Sequence, residues 1–343
     1  MDSTQIALDV MGGDSAPHST LVGALQACEG EGARRLPPER LLLVGDEPRI
    51  REELERIGAT REGPVPDLAV RHASQAVAMD ESPSSALRSK PDSSIAVCVG
   101  AVKSGEAAAM VSMGNTGAVV GSATLGLRTL TGVRRPGIAV TLGFTGRRVT
   151  LLDMGANIDP KPEHLLQYGL MGAVFARECL DVLAPRIGLL NIGEEASKGT
   201  SLLKSAHGLL EASRLDFVGN VEGGDLFGGI ADVVVTDGFT GNVVLKLLES
   251  TSALMIDLVL GELRANGVDP DPAALQSLER KVDYSEVGGA LLLGVAGVVV
   301  IGHGRSDANA VANALCLAGR ALDAGVNTSI EEGVERAARE GVA

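Results

Sequence analysis

Lys198 stands in a polar, glycine-bounded stretch, Asn191-Ile192-Gly193-Glu194-Glu195-Ala196-Ser197-Lys198-Gly199, while Asn115, Asn157, Asn242 and His303 stand close to glycines elsewhere in the chain. An ammonium, side-chain amides, an imidazole and the backbone N–H groups of glycine loops are all donors. Such groups hold an anion such as phosphate and polarise a carbonyl without attacking it. Residue patterns for other chemistry are missing. Gly114-Asn115-Thr116-Gly117 and Gly238-Phe239-Thr240-Gly241-Asn242 lack the lysine and spacing of a P-loop, and no G-x-G-x-x-G stands in a dinucleotide-binding context. The histidines His18, His72, His164, His207 and His303 are scattered, with no H-E-x-x-H, so no metal is expected. No G-x-S-x-G elbow or Cys-His motif supplies a covalent nucleophile. No cofactor is implied.

These residues must be positioned by loops between strands and helices. The clearest case is Ala231 to Lys246, ADVVVTDGFTGNVVLK, which reads as a β-favouring run, a loop with two glycines and the start of a long apolar-periodic helix. Further glycine loops fall at Gly12-Gly13, Gly114 to Gly117 and Gly223-Gly224. A single glycine loop makes a tight turn. Several of one type at strand ends, with Asn or Asp beside them, point to a ligand crevice. The candidate binding set is therefore Gly12, Gly13, Asp14, Gly114, Thr116, Gly117, Asn157, Asp237, Gly238, Thr240 and Gly241, with Asp14 and Asp237 expected to orient their loops. SMGNTGAVV near residue 115 also echoes TDGFTGNVV near residue 240, which records either a duplication or two loops under one physical demand.

The wider pattern alternates strands with helices. Strands are expected at Ile6–Val10, Leu41–Gly45, Leu68–Arg71, Ala108–Ser112, Ile138–Leu142, Val149–Asp153, Ile187–Asn191, Phe217–Asn220 and Ala231–Thr236, with one or two over Ala290–Ile301. Helices are expected between them, the longest from Asn242 to about Asn266, with a short one ending at Lys281 and two more closing the chain. This order predicts an α/β fold with a largely parallel sheet, made mixed by a hairpin around Gly146. A chain of 343 residues is long for one core, so two intertwined lobes are expected within a single unit, residues 1–343, without a clean linker.

Composition bounds the partners. A net charge of −14 disfavours nucleic acid, which needs an excess of Lys and Arg. Cys28, Cys98, Cys179 and Cys316 are far apart in apolar surroundings, without a C-x-x-C pair, as expected of buried free thiols in a reducing cytosol. The most apolar run, Val287 to Gly302, is broken by glycines and reads as buried strand and turn. A cytoplasmic protein is expected.

Taken in order, MGGD at Met11, GNTGA at Gly114, DMGAN at Asp153, NIGEEASKG at Asn191, VEGGD at Val221 with TDGFTGN at Thr236, and GVVVIGHG at Gly297 resemble the bacterial phosphate acyltransferase (PlsX) family of phospholipid synthesis. The resemblance runs from about Ile6 to Leu322 and departs at Arg305, where the family commonly has a small residue. It implies reversible transfer of a long-chain fatty acyl group from acyl carrier protein to inorganic phosphate, forming acyl phosphate. It also implies a three-layer α/β/α sandwich like isocitrate and isopropylmalate dehydrogenases and related to phosphotransacetylases, and a homodimer. Contact with the inner face of the plasma membrane and hand-over to an acyl phosphate:glycerol-3-phosphate acyltransferase are implied as well.

Phosphate is a competent nucleophile and a thioester a reactive donor, so direct attack needs only positioning and oxyanion stabilisation. Lys198 is expected to meet phosphate or oxyanion charge, with Asn115 and Asn242 as amide donors and His303 as general acid toward the leaving thiol. An acidic carrier protein would need a positive patch, and Arg128, Arg134 and Arg135, or Arg264, Arg280 and Lys281, supply one. Apolar positions 244, 247, 248, 254, 255 and 258 form a helical face for a dimer, an acyl chain or a membrane. Two rival readings are a short-chain phosphotransacetylase using acyl-CoA and a non-catalytic anion-binding scaffold for lipid enzymes.

Overall fold

The computed structural model describes residues 4–30, 35–144, 147–268, 270–271, 275 and 288–340. Short apolar runs become strands: β1 (Ile6–Asp9), β2 (Leu41–Gly45), β3 (Ala69–His72), β4 (Ala109–Ser112), β5 (Gly137–Phe144), β6 (Arg147–Leu152), β7 (Arg186–Leu190), β8 (Asp216–Val221), β9 (Val233–Val235), β10 (Ala290–Leu293) and β11 (Val298–Ile301). The helices are α1 (His18–Glu29), α2 (Glu47–Thr60), α3 (Pro83–Ser89), α4 (Ser94–Ser104), α5 (Thr116–Leu127), α6 (Pro162–Leu180), α7 (Ser201–Glu211), α8 (Gly238–Ala265), α9 (Ala308–Asp323) and α10 (Val326–Arg339). The helix expected to end at Lys281, the basic pair Arg280-Lys281 and the turn residues Thr145 and Gly146 lie outside the described residues.

One 11-stranded sheet runs through the molecule in the order β3-β2-β1-β4-β11-β10-β5-β6-β9-β7-β8. Successive strand residues face opposite layers, so Ile6 and Leu8 join one core and Ala7 the other. The first core is covered by α1, α2, α6, α7, α9 and α10, the second by α3, α4, α5 and the start of α8, which makes a three-layer sandwich. Strands buried on both faces need no polar alternation, which is why β1, β2 and β4 read as apolar runs.

Strand direction is decided in the middle of the sheet. β3, β2, β1, β4 and β11 are mutually parallel, and β6, β9, β7 and β8 form a second parallel set. Between them, β10 is antiparallel to both β11 and β5, and β5 is antiparallel to β6. Three successive reversals leave the two parallel sets running in opposite senses. The loops after β1, β4 and β11 therefore leave the sheet as one group, and those after β6, β9 and β7 as another.

The α8 helix spans 28 residues, but Gly238, Gly241 and Leu245 are its buried members. Val244 and Leu248 pack against the second core, whereas Leu247, Leu254, Met255, Leu258 and Val259 are exposed. Among the described residues no helix is long and apolar enough to cross a membrane.

Candidate active site

The group after β6 and β9 is organised by Asp153, which is fully buried. Its Oδ1 accepts from the N–H groups of Ile138 (2.9 Å), Gly155 (3.0 Å) and Ala156 (2.9 Å), and its Oδ2 from that of Asn157 (2.7 Å). Burial raises the Asp153 pKa, and these backbone donors pull it back only in part. The turn they close presents the carbonyl of Asn157 to the N–H of Gly238 (3.0 Å), joining the loop after β6 to the start of α8. Asp237 caps α8, with Oδ1 accepting from Thr240 N (2.8 Å) and Oδ2 from Thr240 Oγ1 (2.7 Å). Both Asp237 oxygens are thus used within its own loop. The side-chain amide of Asn157 donates to Tyr168 Oη at 3.4 Å, and Asn242 is exposed beside Gly155.

These bonds correct one expectation. The N–H groups of Gly238, Thr240 and Gly241, read as anion donors, are paired with Asn157 O, Asp237 Oδ1 and Asp237 O. The loop chemistry pairs them because a capped helix start satisfies its own first donors. Lys198 and Asn242 bring exposed side-chain donors to this end of the sheet.

Lys198 arrives on the neighbouring strand, since β7 lies beside β9 and its loop carries residues 191–199. The lysine is exposed, with Nζ 4.0 Å from Glu195 Oε1. Arg134 and Arg135, also exposed, immediately precede Pro136 and β5, whose Ile138 N–H is one of the Asp153 donors.

The other group gathers Gly12, Gly13, Asp14, Gly114, Asn115, Thr116, Gly117 and His303 at the ends of β1, β4 and β11. Buried Asp9 holds it, accepting from Ser112 Oγ (2.6 Å) and Met11 N (3.1 Å), while Ser112 Oγ accepts from Gly114 N (3.0 Å). Burial raises the Asp9 pKa above its ordinary value. Asp14 N donates to Gly304 O (2.8 Å), and His303 Nδ1 accepts from Arg305 N (3.2 Å). Asn115 was expected to offer its amide to substrate. Instead Oδ1 caps α5 through Ala118 N (3.0 Å), and Nδ2 donates to the carbonyls of Met79 and Glu81, each at 3.0 Å. Its side chain is a loop fastener.

The sequence echo has a structural counterpart. Ser112 is paired with Asp9 across β4 and β1, and Thr236 exchanges backbone bonds with Asp153 and Leu152 across β9 and β6. Gly114 and Gly238 then pack on the carboxylates of Asp9 and Asp153 respectively. Neither aspartate stands out in the sequence as an organiser, yet they share a signal: Asp9 ends β1, Asp153 directly follows β6, and each is followed by Met and Gly, in Asp9-Val10-Met11-Gly12 and Asp153-Met154-Gly155.

Among the described residues no group of three or more His, Cys, Asp or Glu is placed to hold a metal ion. Cys28, Cys98 and Cys179 are buried, and burial pushes Cys28 up to about 11 and Cys179 up to about 12. Burial and the nearby Asp9 carboxylate also raise the Cys98 thiol.

Residues 4–329 match the family described as fatty acid synthesis protein. The chain is 46% identical over 315 residues to a phosphate acyltransferase of Anaeromyxobacter sp. (strain Fw109-5), covering 90% of this chain and 85% of that one. It is 44% identical to the phosphate acyltransferase of Desulforudis audaxviator, with 96% of each chain covered. Among solved structures, a phosphotransacetylase from Streptococcus pyogenes superposes with a TM-score of 0.59 at 19% identity, covering 93% of this chain and 94% of that one. A putative 4-hydroxythreonine-4-phosphate dehydrogenase from Salmonella typhimurium gives 0.52 at 15% identity, covering 92% and 99%. At these identities the structures share the fold, and the sequence relatives decide the family. On that ground the chain belongs to the fatty acid synthesis protein family, the family of the PlsX-type phosphate acyltransferases.

Proposed function

We propose that this acyltransferase moves a long-chain fatty acyl group from the thioester of acyl carrier protein to inorganic phosphate, reversibly, giving an acyl phosphate for phospholipid synthesis. The relatives' name supports acyl transfer to phosphate. The observation that carries the rest is the loop group at the ends of β6, β9 and β7. There the cation Lys198, in the loop after β7, and the open amide of Asn242, in the first turn of α8 after β9, follow neighbouring strands, with exposed Arg134 and Arg135 flanking the Asp153 turn. A phosphate oxygen attacks the thioester carbon, the carbonyl oxygen takes the charge of the tetrahedral intermediate, and the carrier thiolate leaves and is protonated. Lys198 meets the phosphate or oxyanion charge, and a site that loses such a donor slows on the order of 10²–10³-fold. The leaving thiolate takes its proton from solvent, because His303, expected as its acid, stands on the other loop group, after β11, apart from Lys198 and Asn242. The arginines suit an acidic carrier protein.

The exposed apolar stripe of α8, Leu247, Leu254, Met255 and Leu258, supports a homodimer or a peripheral membrane contact at the cytoplasmic face. Hydroxamate trapping of acyl phosphate tests the reaction, with palmitoyl–acyl carrier protein and acetyl-CoA as competing donors in phosphate buffer. Product from the carrier protein alone is expected. Product from acetyl-CoA alone would make the enzyme a phosphotransacetylase, and product from neither donor would leave only an anion-binding scaffold. Lys198→Ala is expected to lower the carrier-protein rate at least 10²-fold.

A further inference from the structure

Two buried asparagines on adjacent strands grip the loop that carries Lys198. Asn191, 8% exposed, immediately follows β7, and Asn220, 7% exposed, lies in β8, with Leu189 opposite Asn220 in the register. Asn220 Nδ2 donates to Glu195 O at 2.9 Å, and Asn191 Nδ2 donates to Lys198 O at 3.3 Å. Glu195 O also accepts from Lys198 N at 2.9 Å, and Asn191 Oδ1 accepts from Ile192 N at 2.9 Å. The peptide units on both sides of Lys198 are therefore tied to the sheet.

The side chain is guided too. A Cβ on Gly193 would stand 2.9 Å from Glu195 Oε2, 3.0 Å from Lys198 Cγ and 3.5 Å from its Cδ, so the bare backbone of Gly193 is the floor on which the lysine stem lies, beside the flexible end of Glu195. Gly199, at φ +85°, turns the chain away directly after the lysine, and a Cβ there would press on Asn191, 2.9 Å from Nδ2. Residues 192–198 are otherwise largely exposed, and a loop with so little burial is held by its few hydrogen bonds. Carrying the bonds on buried side chains makes them stronger than surface bonds, because water does not compete for them.

We infer that Asn191 and Asn220, with Gly193, are positioning residues that set the place of the Lys198 ammonium for acyl transfer. This rests on the proposed role of Lys198. A misplacement of about 1 Å in a group meeting the transition state can cost on the order of 10²-fold in rate.

The test is a double-mutant cycle on acyl phosphate formation, reading kcat and the phosphate KM, with thermal melts on every variant. Asn191→Ala, Asn220→Ala and Gly193→Ala should each lower kcat by about 10–100-fold in the Lys198 background. In the Lys198→Ala background each should cost less than about 2-fold, because the group they position is gone. Equal losses in both backgrounds would mean the asparagines act only on the fold, and would overturn the inference. Lys198→Ala alone keeps the two readings apart: if it retains the wild-type rate, the role of the lysine falls first and this inference with it. Gly193→Ala needs no new backbone conformation and loses no buried hydrogen bond. If an asparagine variant does not fold, Gly193→Ala decides the matter. An unchanged rate in that variant would overturn the guiding of the lysine stem.

Discussion

Gly238 lies against the carboxylate of Asp153 so closely that a Cβ on it would be 2.8 Å from Asp153 Oδ2 and 2.7 Å from Asn157 O. The same contact recurs at Gly241, whose Cβ would overlap the Asp153 carbonyl oxygen. Both glycines let the first turn of α8 seat directly on the turn after β6.

Gly241→Ala meets backbone, which cannot swing aside as a flexible side chain does. The start of α8 must shift, with an overpacking cost of about 1–3 kcal/mol. Activity should fall at least 10-fold, while Gly261→Ala, on the same helix with open space around it, should leave both melting temperature and rate near wild type. Steady-state kinetics and calorimetry on the pair read the difference.

Asp153→Asn replaces an acceptor-only group facing four backbone donors with an amide that can answer some of them and opposes the rest with its own N–H. A loss of about 1–3 kcal/mol is expected, together with a lower rate as residues 155–157 and the α8 start move. Denaturant unfolding gives the first number and hydroxamate trapping the second. An unchanged rate in a destabilised protein would place Asp153 in the scaffold alone.

At the far end of the same strands, Asp232 binds Arg186 through Oδ2 to Nε and Oδ1 to Nη2, each at 3.0 Å, and accepts from Arg186 N at 2.9 Å. Burial alone would raise the Asp232 pKa, but the bonds from Arg186 outweigh it and hold it below the ordinary carboxylate value. The sign follows from linkage. A depressed carboxylate contributes stability above its unfolded pKa and loses it as pH falls through the folded value. Arg186 is 40% exposed at its side chain, so solvent screening keeps the contribution near about 1 kcal/mol. Asp232→Asn should melt lower than wild type at pH 7, and the gap should close as pH falls below the ordinary carboxylate range.

With Cys28 pushed up to about 11 and Cys179 up to about 12, their thiolate fractions at pH 8 fall more than 10²-fold below that of an ordinary thiol. Iodoacetamide should label Cys28, Cys98 and Cys179 slowly in the folded enzyme and quickly in urea, as followed by mass spectrometry. Rapid labelling of native Cys98 would contradict its burial.

Much of this was legible in the chain. Apolar runs such as Leu41–Gly45 and Ala109–Ser112 can only be buried strands, and the periodic stretches between them can only be helices, because local backbone preference and burial agree. The ordered motifs likewise marked the family, since glycine, asparagine and lysine at those strand ends are set by chemistry along the chain. What the tertiary structure alone decided is which donors remain available. Ser112 finds Asp9 across 103 residues, and Asn115 reaches back 34 residues to Glu81. Those partners are selected by strand register and loop packing, so no local pattern reports that the Asn115 amide is already used. Strand direction is of the same kind. The reversals at β10 and β5 depend on pairing between distant segments, and they divide the glycine loops into two groups that the sequence presents as one series.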